Sequence, residues 1–242
     1  MVLSRTGCYG VCPIMDVSIN FETKYIKYYG NKYLVKKGFY EGDVLDLDEV
    51  EKLFAQTRWD TLNNHYDHGS DDDETVSILF IKNGKIIKFI DDYGGSASIQ
   101  MRWAYAYLLP FINNTPLTKV DKVNDIYPKR DYYTFNRGDS TLRLTKAEGY
   151  FLYLQLQEAK TTNKAFKPKY SIELARNYTY FPRHIFGESY EKMIKNFDKV
   201  ETDGRYYKIF FKNGQIMTYD IGYNYITENN ISGLFYKKEN EY

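Results

Sequence analysis

The sequence contains few of the residues on which catalysis, metal binding and disulfide scaffolds depend. Its 242 residues include 2 Cys, 3 His and 6 Pro. Two cysteines exclude a fold held together by several disulfides, and three histidines leave few side chains that change charge near neutral pH. No apolar run approaches the roughly 18 to 20 residues that a transmembrane helix needs.

The motifs of the common enzyme classes are also missing. The sequence has no Gly-X-Ser-X-Gly, no His-Glu-X-X-His, no P-loop and no Gly-X-Gly-X-X-Gly. We therefore expect no cofactor and favour a non-catalytic protein over an enzyme. The net charge of +1 argues against nucleic acid as a partner, so we expect a protein, a peptide or a small ligand.

The N-terminus lacks the basic and apolar regions of a signal peptide. A natural start at Met1 predicts a cytoplasmic protein, whereas a chain from which a leader has been removed predicts an exported one. Both outcomes stay open at the level of the sequence.

Tyrosine is the abundant residue type. The chain has 26 Tyr and 15 Phe and is 18% aromatic, while its 43% hydrophobic and 27% charged fractions are those of a soluble globular protein. Aromatic residues are enriched in strands. We therefore predict many short strands and a tyrosine-rich sheet surface that offers rigid contact area to a partner.

Alternating apolar and polar residues predict an antiparallel meander near the N-terminus. Residues 15–21 follow the period-two pattern of a half-buried strand. Residues 25–29 and 33–36 predict two further short strands.

Two helices are predicted in the first half of the chain. Asp46 or Asp48 can cap the first of them, which has its apolar residues on one face. Ser96 or Ser98 can cap the second, which runs towards Pro110. A third helix is predicted after Thr145 in the second half.

Two hairpins are predicted by Asn-Gly turns, whose residues both tolerate positive φ. The first surrounds Asn83-Gly84 and the second surrounds Asn213-Gly214, with similar residues on either side of each turn. This similarity makes internal duplication a hypothesis.

These elements predict an α+β fold with antiparallel meander sheets and helices packed on one face. Residues 114–130 contain two prolines and no clear periodicity, which is typical of a linker. The predicted domains are therefore residues 1–113 and 131–242. Under the duplication hypothesis, these two subdomains derive from one repeated unit.

The most specific motif is a glycine-punctuated loop that places Cys8 and Cys12 four residues apart. Two thiols at this spacing can form a local disulfide, bind a metal or exchange with other thiols, and Arg5 is close enough in sequence to favour a thiolate. The usual redox dithiol has two intervening residues and begins a helix, whereas Pro13 here leads into a strand. We favour a structural pair, with Cys8, Cys12, Arg5 and Tyr9 as the binding or redox candidates.

A metal site is the weaker alternative. Zinc would need Cys8 and Cys12 together with His65 and His68, but the two histidines are closer in sequence than is usual for such a pair. Asp71 begins a run of acidic residues that lacks the alternating spacing of a calcium loop. We therefore expect no metal.

The cysteine loop also resembles part of a known family. The loop from Arg5 to Pro13 and several later features, in the same order, are similar to a bacterial family known as domain of unknown function 6438. These features are Gly42, the helix start Asp48-Glu49-Val50 with Leu53, the spacing from Tyr66 to Asp71, and the Asn83-Gly84 hairpin that leads to Asp92-Tyr93.

The resemblance covers roughly residues 3–112 and implies no activity, because the family has no established function. It does imply a proline after Asp71, where this chain has Asp72. From the residues and the resemblance we expect a non-catalytic binding or interaction module. The alternative is a thiol-based redox or metal-binding protein centred on Cys8 and Cys12.

Overall fold

A computed structural model describes residues 1–69, 73–121, 126–128, 132–175 and 197–237 of the chain. Within these residues it contains four α-helices and two eight-stranded sheets. The strand pairs are antiparallel except for one parallel pair at an edge of the first sheet. The predicted α+β class is therefore confirmed at this level of detail.

The first sheet and its helices come from the first half of the chain. In chain order they are β1 (Val2–Arg5), β2 (Met15–Asn20), β3 (Tyr25–Gly30), β4 (Gly38–Asp43), α1 (Asp48–Gln56), a 3-10 turn (Trp59–Thr61), β5 (His65–Tyr66), β6 (Thr75–Lys82), β7 (Lys85–Tyr93), α2 (Ile99–Asn114) and β8 (Thr118–Val120). The order of strands across the sheet is β5-β7-β6-β1-β2-β3-β4-β8.

The second sheet is formed by the remaining strands. The elements are β9 (Tyr132–Arg137), β10 (Ser140–Arg143), α3 (Lys146–Glu158), β11 (Lys160–Thr161), β12 (Tyr170–Ala175), β13 (Phe197–Thr202), β14 (Tyr206–Phe211), β15 (Ile216–Asp220), α4 (Tyr225–Glu228) and β16 (Tyr236–Lys237). The order across this sheet is β11-β15-β14-β13-β12-β9-β10-β16.

Contacts divide the chain into two compact units. The first unit comprises Met1–Val123, Lys146–Phe151 and Asn230–Ser232, and the second comprises the remaining residues. The predicted boundaries of 1–113, 114–130 and 131–242 stay a prediction. Within the predicted linker, β8 pairs with β4 of the first sheet, and residues 122–125 and 129–130 lie outside the described part.

The core of the first unit follows from the alternation predicted at its N-terminus. Met15, Val17 and Ile19 on β2 are buried, because successive side chains of a strand point to opposite faces and this face is the apolar one. The same cluster contains Met101 and Leu108 of α2. Burial of large apolar side chains, each worth about 1.5–3 kcal/mol, therefore joins the helix to the sheet.

A second set of buried residues in the first unit is charged. Asp16 accepts a hydrogen bond from Ser4 Oγ at 2.5 Å, and Lys146 Nζ lies 3.7 Å from Asp16 Oδ2. Glu148 accepts hydrogen bonds from the backbone and side chain of Ser232. A buried charge is tolerated when it is paired, and no spacing in the sequence indicated these pairs.

Both predicted hairpins are present. Asn83 and Gly84 have φ of 52° and 72°, as a two-residue turn of the favoured hand requires, and Gly214 also has positive φ. The strand connections nevertheless differ between the sheets. The β6–β7 hairpin lies beside the first strand of its unit, whereas the β14–β15 hairpin lies beside β13, the strand directly before it in sequence. Duplication therefore stays a prediction.

The helix starts agree with the sequence in part. Asp46 Oδ1 accepts a hydrogen bond from the Asp48 amide at 2.9 Å, and α1 begins at Asp48. Ser98 Oγ rather than Ser96 caps α2 by accepting from the Met101 amide. The helix continues through Pro110 to Asn114.

The predicted strand at residues 33–36 is wrong. These residues form a loop between β3 and β4, in which Tyr33 has a φ of 58° and the following Gly38 has a φ of 98°. Positive φ interrupts an extended strand, and the Lys36 side chain turns towards the end of α2.

None of the helices in the described parts of the chain combines the length and the hydropathy that crossing a bilayer requires.

Gly30 is the position in this fold at which a side chain is least tolerated. A Cβ there would overlap the carbonyl oxygen of Lys36 and lie 2.6 Å from the hydroxyl of Tyr28. We expect Gly30→Ala to lower the free energy of unfolding by at least about 2 kcal/mol, measured by urea denaturation. Gly42→Ala is the control, because its Cβ would meet its nearest neighbour, Leu117, at 3.7 Å. Equal stability of the two variants would contradict the prediction.

Candidate functional site

Several loops of the first unit meet at one end of its sheet. The register pairs Arg5 with Met15, Met15 with Gly30, and Gly30 with Gly38, and it pairs Thr75 with Tyr93 on the other side. Antiparallel strands in this register bring the connections 6–14, 31–37 and 94–98 and the described residues of the connection 67–74 to the same end, which we call the loop end. Of the motifs that carry the family resemblance, the cysteine loop and Asp92-Tyr93 lie at this end, whereas Gly42 and the Asn83-Gly84 turn lie at the opposite end of the sheet.

Cys8 and Cys12 form a disulfide in the connection 6–14, with their Cα atoms 5.6 Å apart. Both cysteines are partly exposed, and Tyr9 and Val11 between them are exposed. This segment, residues 7–13, is the disulfide loop. It is anchored on one side by a backbone hydrogen bond from Thr6 to Thr75, and on the other by hydrogen bonds between Ile14 and residues 31–32.

Arg5 is directed to a carboxylate and not to the cysteines. Its Nε donates to Glu74 Oε2 at 3.0 Å and its Nη2 donates to Glu74 Oε1 at 2.5 Å. Both side chains are largely buried. A two-point pair of this kind fixes the orientation of both groups, so the guanidinium is engaged at the base of the loop end. The sequence placed Glu74 only in the acidic run that begins at Asp71 and did not indicate its pairing with Arg5.

Asp92 organises the connection between β7 and α2. Its side chain is buried, and Oδ1 accepts from the amides of Ser96 and Ala97 at 2.7 and 2.9 Å, while Oδ2 accepts from the Tyr105 hydroxyl at 3.0 Å. Burial and the neighbouring Asp92 carboxylate raise the pKa of Tyr105 above its usual range. In the sequence, Asp92-Tyr93 contributes only to the order of the motifs that resemble the family. The hydrogen bonds by which Asp92 holds the connection before α2 are visible only in the structure.

The two histidines face different carboxylates. His65 Nδ1 lies 3.5 Å from Asp91 Oδ2, and His68 Nε2 lies 3.2 Å from Asp73 Oδ2. Among the described residues no three His, Cys, Asp or Glu side chains are grouped so as to hold a metal ion. Asp71, the third weak metal candidate, lies outside the described residues.

Lys36 ties the connection 31–37 to the C-terminus of α2. Its Nζ donates to the carbonyl oxygens of Ile112, Asn113 and Thr115 at 2.7, 2.6 and 2.9 Å. The last carbonyls of a helix have no partner within the helix, and a lysine near them is favourable. Burial lowers the pKa of Lys36. The lysine therefore fixes a loop that carries no regular secondary structure.

The tyrosines are divided between the interior and the surface. Tyr28 and Tyr207 on strands and Tyr150, Tyr153 and Tyr225 on helices are fully buried. Other strand tyrosines, such as those at positions 25, 29 and 40, are partly exposed. The tyrosines that are most exposed in the first unit lie on the disulfide loop, on the connection 31–37 and on α2. The predicted tyrosine-rich sheet surface stays a prediction.

Residues 1–111 match the family model described as Domain of unknown function (DUF6438), which confirms the resemblance over this part of the chain. The matched range contains all four connections of the loop end. No curated protein and no solved structure matches the chain. The family description carries no activity, so the function has to be argued from the geometry.

Removal of the Lys36 ammonium is expected to destabilise the first unit. Lys36→Met would remove one hydrogen bond from each of the three carbonyls, of which those of Ile112 and Thr115 keep bonds from the backbone amides of Thr115 and Leu117. We expect a loss of about 2 kcal/mol. Urea denaturation followed by fluorescence measures this loss. Lys37→Met is the matched control, since Lys37 is exposed and carries the same charge, and we expect it to change the free energy of unfolding by less than about 0.5 kcal/mol. Similar losses for the two variants would count against the proposed role of Lys36.

Asp91 is expected to be destabilising in its charged form. Burial raises its pKa above the ordinary 3.8, while the hydrogen bond from Ser77 and the nearby His65 act in the opposite direction. Because the folded pKa is above the unfolded one, ionisation at neutral pH opposes folding, and this cost disappears as the pH falls below the unfolded pKa. Asp91→Asn should therefore raise the free energy of unfolding at pH 7, as measured by urea denaturation.

The gain from Asp91→Asn should shrink as the pH is lowered through the titration range of the carboxyl group. Asp73→Asn serves as the control at a half-exposed carboxylate of the same end. A loss of stability in Asp91→Asn at neutral pH would show that the interactions of the charged form outweigh its burial.

Proposed function

We propose that the first unit is a non-catalytic binding module for a protein or peptide, and that it binds through the disulfide loop together with the connection 31–37. These two loops are called the loop pair. They are neighbours, because the amide of Ile14 donates to the Lys32 carbonyl and the amide of Asn31 donates to the Ile14 carbonyl.

The observation that carries this proposal is the exposure of four large apolar side chains on the loop pair. Tyr9 and Val11 are 57% and 76% exposed on one loop, and Tyr33 and Val35 are 52% and 81% exposed on the other. Single exposed apolar residues are ordinary. Several on adjoining loops at one end of a sheet are typical of an interaction surface.

The loops are also held in place before any partner arrives. A disulfide closes the first loop, and the second is held by the three hydrogen bonds that Lys36 donates. Loops that are already ordered lose less conformational entropy on binding. Tyrosine adds a large and rigid contact area with few rotatable bonds.

The charged groups at the loop end support binding rather than catalysis. Arg5 is paired with Glu74, and Asp92 accepts hydrogen bonds from Tyr105 and two amides. Acid–base catalysis needs a group that can reach its substrate with a proton to give or take. The contacts of Arg5 lie at the base of the loop end and those of Asp92 hold the connection between β7 and α2, so these groups have structural partners.

Thiol chemistry is the second candidate, and the partial exposure of both cysteines favours it. The position of Arg5 does not add to it, since the guanidinium pairs with Glu74 and is not placed to stabilise a thiolate. A metal-binding role would need both sulfur atoms that the disulfide now uses. We therefore rank binding first.

The proposal is tested by placing a photo-crosslinking amino acid at Tyr33 in the full chain and irradiating it in cells that express the protein. The control position is Leu45, which is 97% exposed and follows β4 at the opposite end of the sheet. We expect a discrete adduct from position 33 that is absent from position 45, and we expect Val35→Asp to abolish it by placing a charge in the interface.

Absence of an adduct at position 33, or equal labelling at position 45, would contradict a binding role for the loop pair. Turnover in a dithiol exchange assay that Cys8→Ser eliminates would instead favour the thiol candidate.

A further inference from the structure

We propose that the Cys8–Cys12 disulfide is a redox switch for the loop pair. Its reduction by a dithiol frees Tyr9 and Val11 from their ordered position, while Tyr33 and Val35 stay in place. Oxidation therefore completes the binding surface and reduction removes half of it. This inference rests on the proposed function and adds regulation to it.

The covalent bond closes the loop between two fixed points. Thr6 is bonded to Thr75 before the loop, and Ile14 is bonded to residues 31–32 after it. Between these anchors lie seven residues, and the disulfide holds the Cα atoms of Cys8 and Cys12 5.6 Å apart. Tyr9 and Val11 stand inside the closed ring, so the bond determines where they point.

Two glycines make the loop mobile once the ring opens. Gly7 precedes the first cysteine and Gly10 lies between Tyr9 and Val11. Glycine has more accessible backbone conformations than any other residue. Opening the disulfide therefore increases the conformational entropy of this loop. Closing such a ring removes that freedom from the chain.

The disulfide is accessible to a reductant. Both cysteines are partly exposed, and Gly7, Tyr9, Gly10 and Val11 are exposed. Exposed disulfides are the labile ones that regulate or react, whereas buried disulfides resist reduction.

The reaction is a thiol–disulfide exchange with a dithiol such as dithiothreitol or a dithiol protein. One thiolate of the reductant attacks a sulfur of the Cys8–Cys12 bond, and a mixed disulfide forms as the other cysteine leaves as a thiolate. The second thiol of the reductant then displaces the attached cysteine. Two electrons and two protons pass to the protein, which ends with two thiols, and the reductant ends as its own disulfide.

The second loop is an internal reference. The connection 31–37 contains no cysteine, and Lys36 holds it through hydrogen bonds to the end of α2. Reduction changes no atom of that attachment. A switch confined to the disulfide therefore predicts a change in one loop and not in its neighbour.

Amide hydrogen exchange of the full chain tests the switch without a partner. Oxidised protein, protein reduced with dithiothreitol and the Cys8→Ser, Cys12→Ser double variant are compared. We expect exchange in residues 7–13 to be about tenfold faster in the reduced protein and in the variant, with exchange in residues 31–37 unchanged within about a factor of two. Unchanged exchange in residues 7–13, or an equal increase in both loops, would overturn the proposal.

Photo-crosslinking separates this proposal from the function on which it rests. With the crosslinker at Tyr9, we expect treatment with dithiothreitol to lower the yield of crosslinked adduct at least about fivefold, while the adduct from position 33 persists. Adducts that persist from both positions after reduction would overturn the switch and leave the binding function standing. Failure to form an adduct at either position in the oxidised protein would overturn both.

Discussion

Antiparallel pairing in one continuous register is the constraint on which the rest of the first unit depends. Because β1 is paired with both β2 and β6, the end of β1 lies between the starts of its two neighbours. Connections that are distant in sequence are thereby brought to one end of the sheet. The ion pair between Arg5 and Glu74, which are 69 residues apart, exists only because this register places β1 beside β6.

The loop end shows a division between charge and apolar surface. Some of its charged groups turn inwards, as Asp92 does towards Tyr105 and two amides, and a buried charge without a partner would be costly. Its exposed tips are apolar instead, at Val11 and Val35. In the proposed binding function these apolar side chains form the surface for a partner, and in the proposed switch the disulfide allows that surface to be altered without unfolding the sheet.

The elements that local patterns predicted correctly are those in which neighbouring residues carry the information. The strand at 15–20 follows from period-two burial, and the hairpin at Asn83-Gly84 follows from two residues that tolerate positive φ. Residues 33–36 were wrongly predicted as a strand, because their alternation resembles one while Lys36 is held by the end of α2. The cysteines could be identified as a candidate pair from spacing. The partner of Glu74 is 69 residues away, and the partners of Asp92, although near in sequence, form no motif that indicates these contacts.

By itself the sequence determined the α+β class, both Asn-Gly hairpins, the starts of the first two helices within two residues, the Ser98 cap of the second, and the family resemblance, because each depends on residues that are close along the chain. The predicted cap of the first helix at Asp46 or Asp48 is wrong, since its N-cap residue is Leu47, whose side chain makes no capping hydrogen bond. Only the tertiary structure decided which tyrosines fill the interior, that Arg5 pairs with Glu74, and that the disulfide loop adjoins the connection 31–37. The number of tyrosines in the sequence does not show which of them are buried, because a tyrosine can occupy a buried or an exposed position. Its environment is set by which strands become neighbours, and that depends on contacts between residues far apart in the chain.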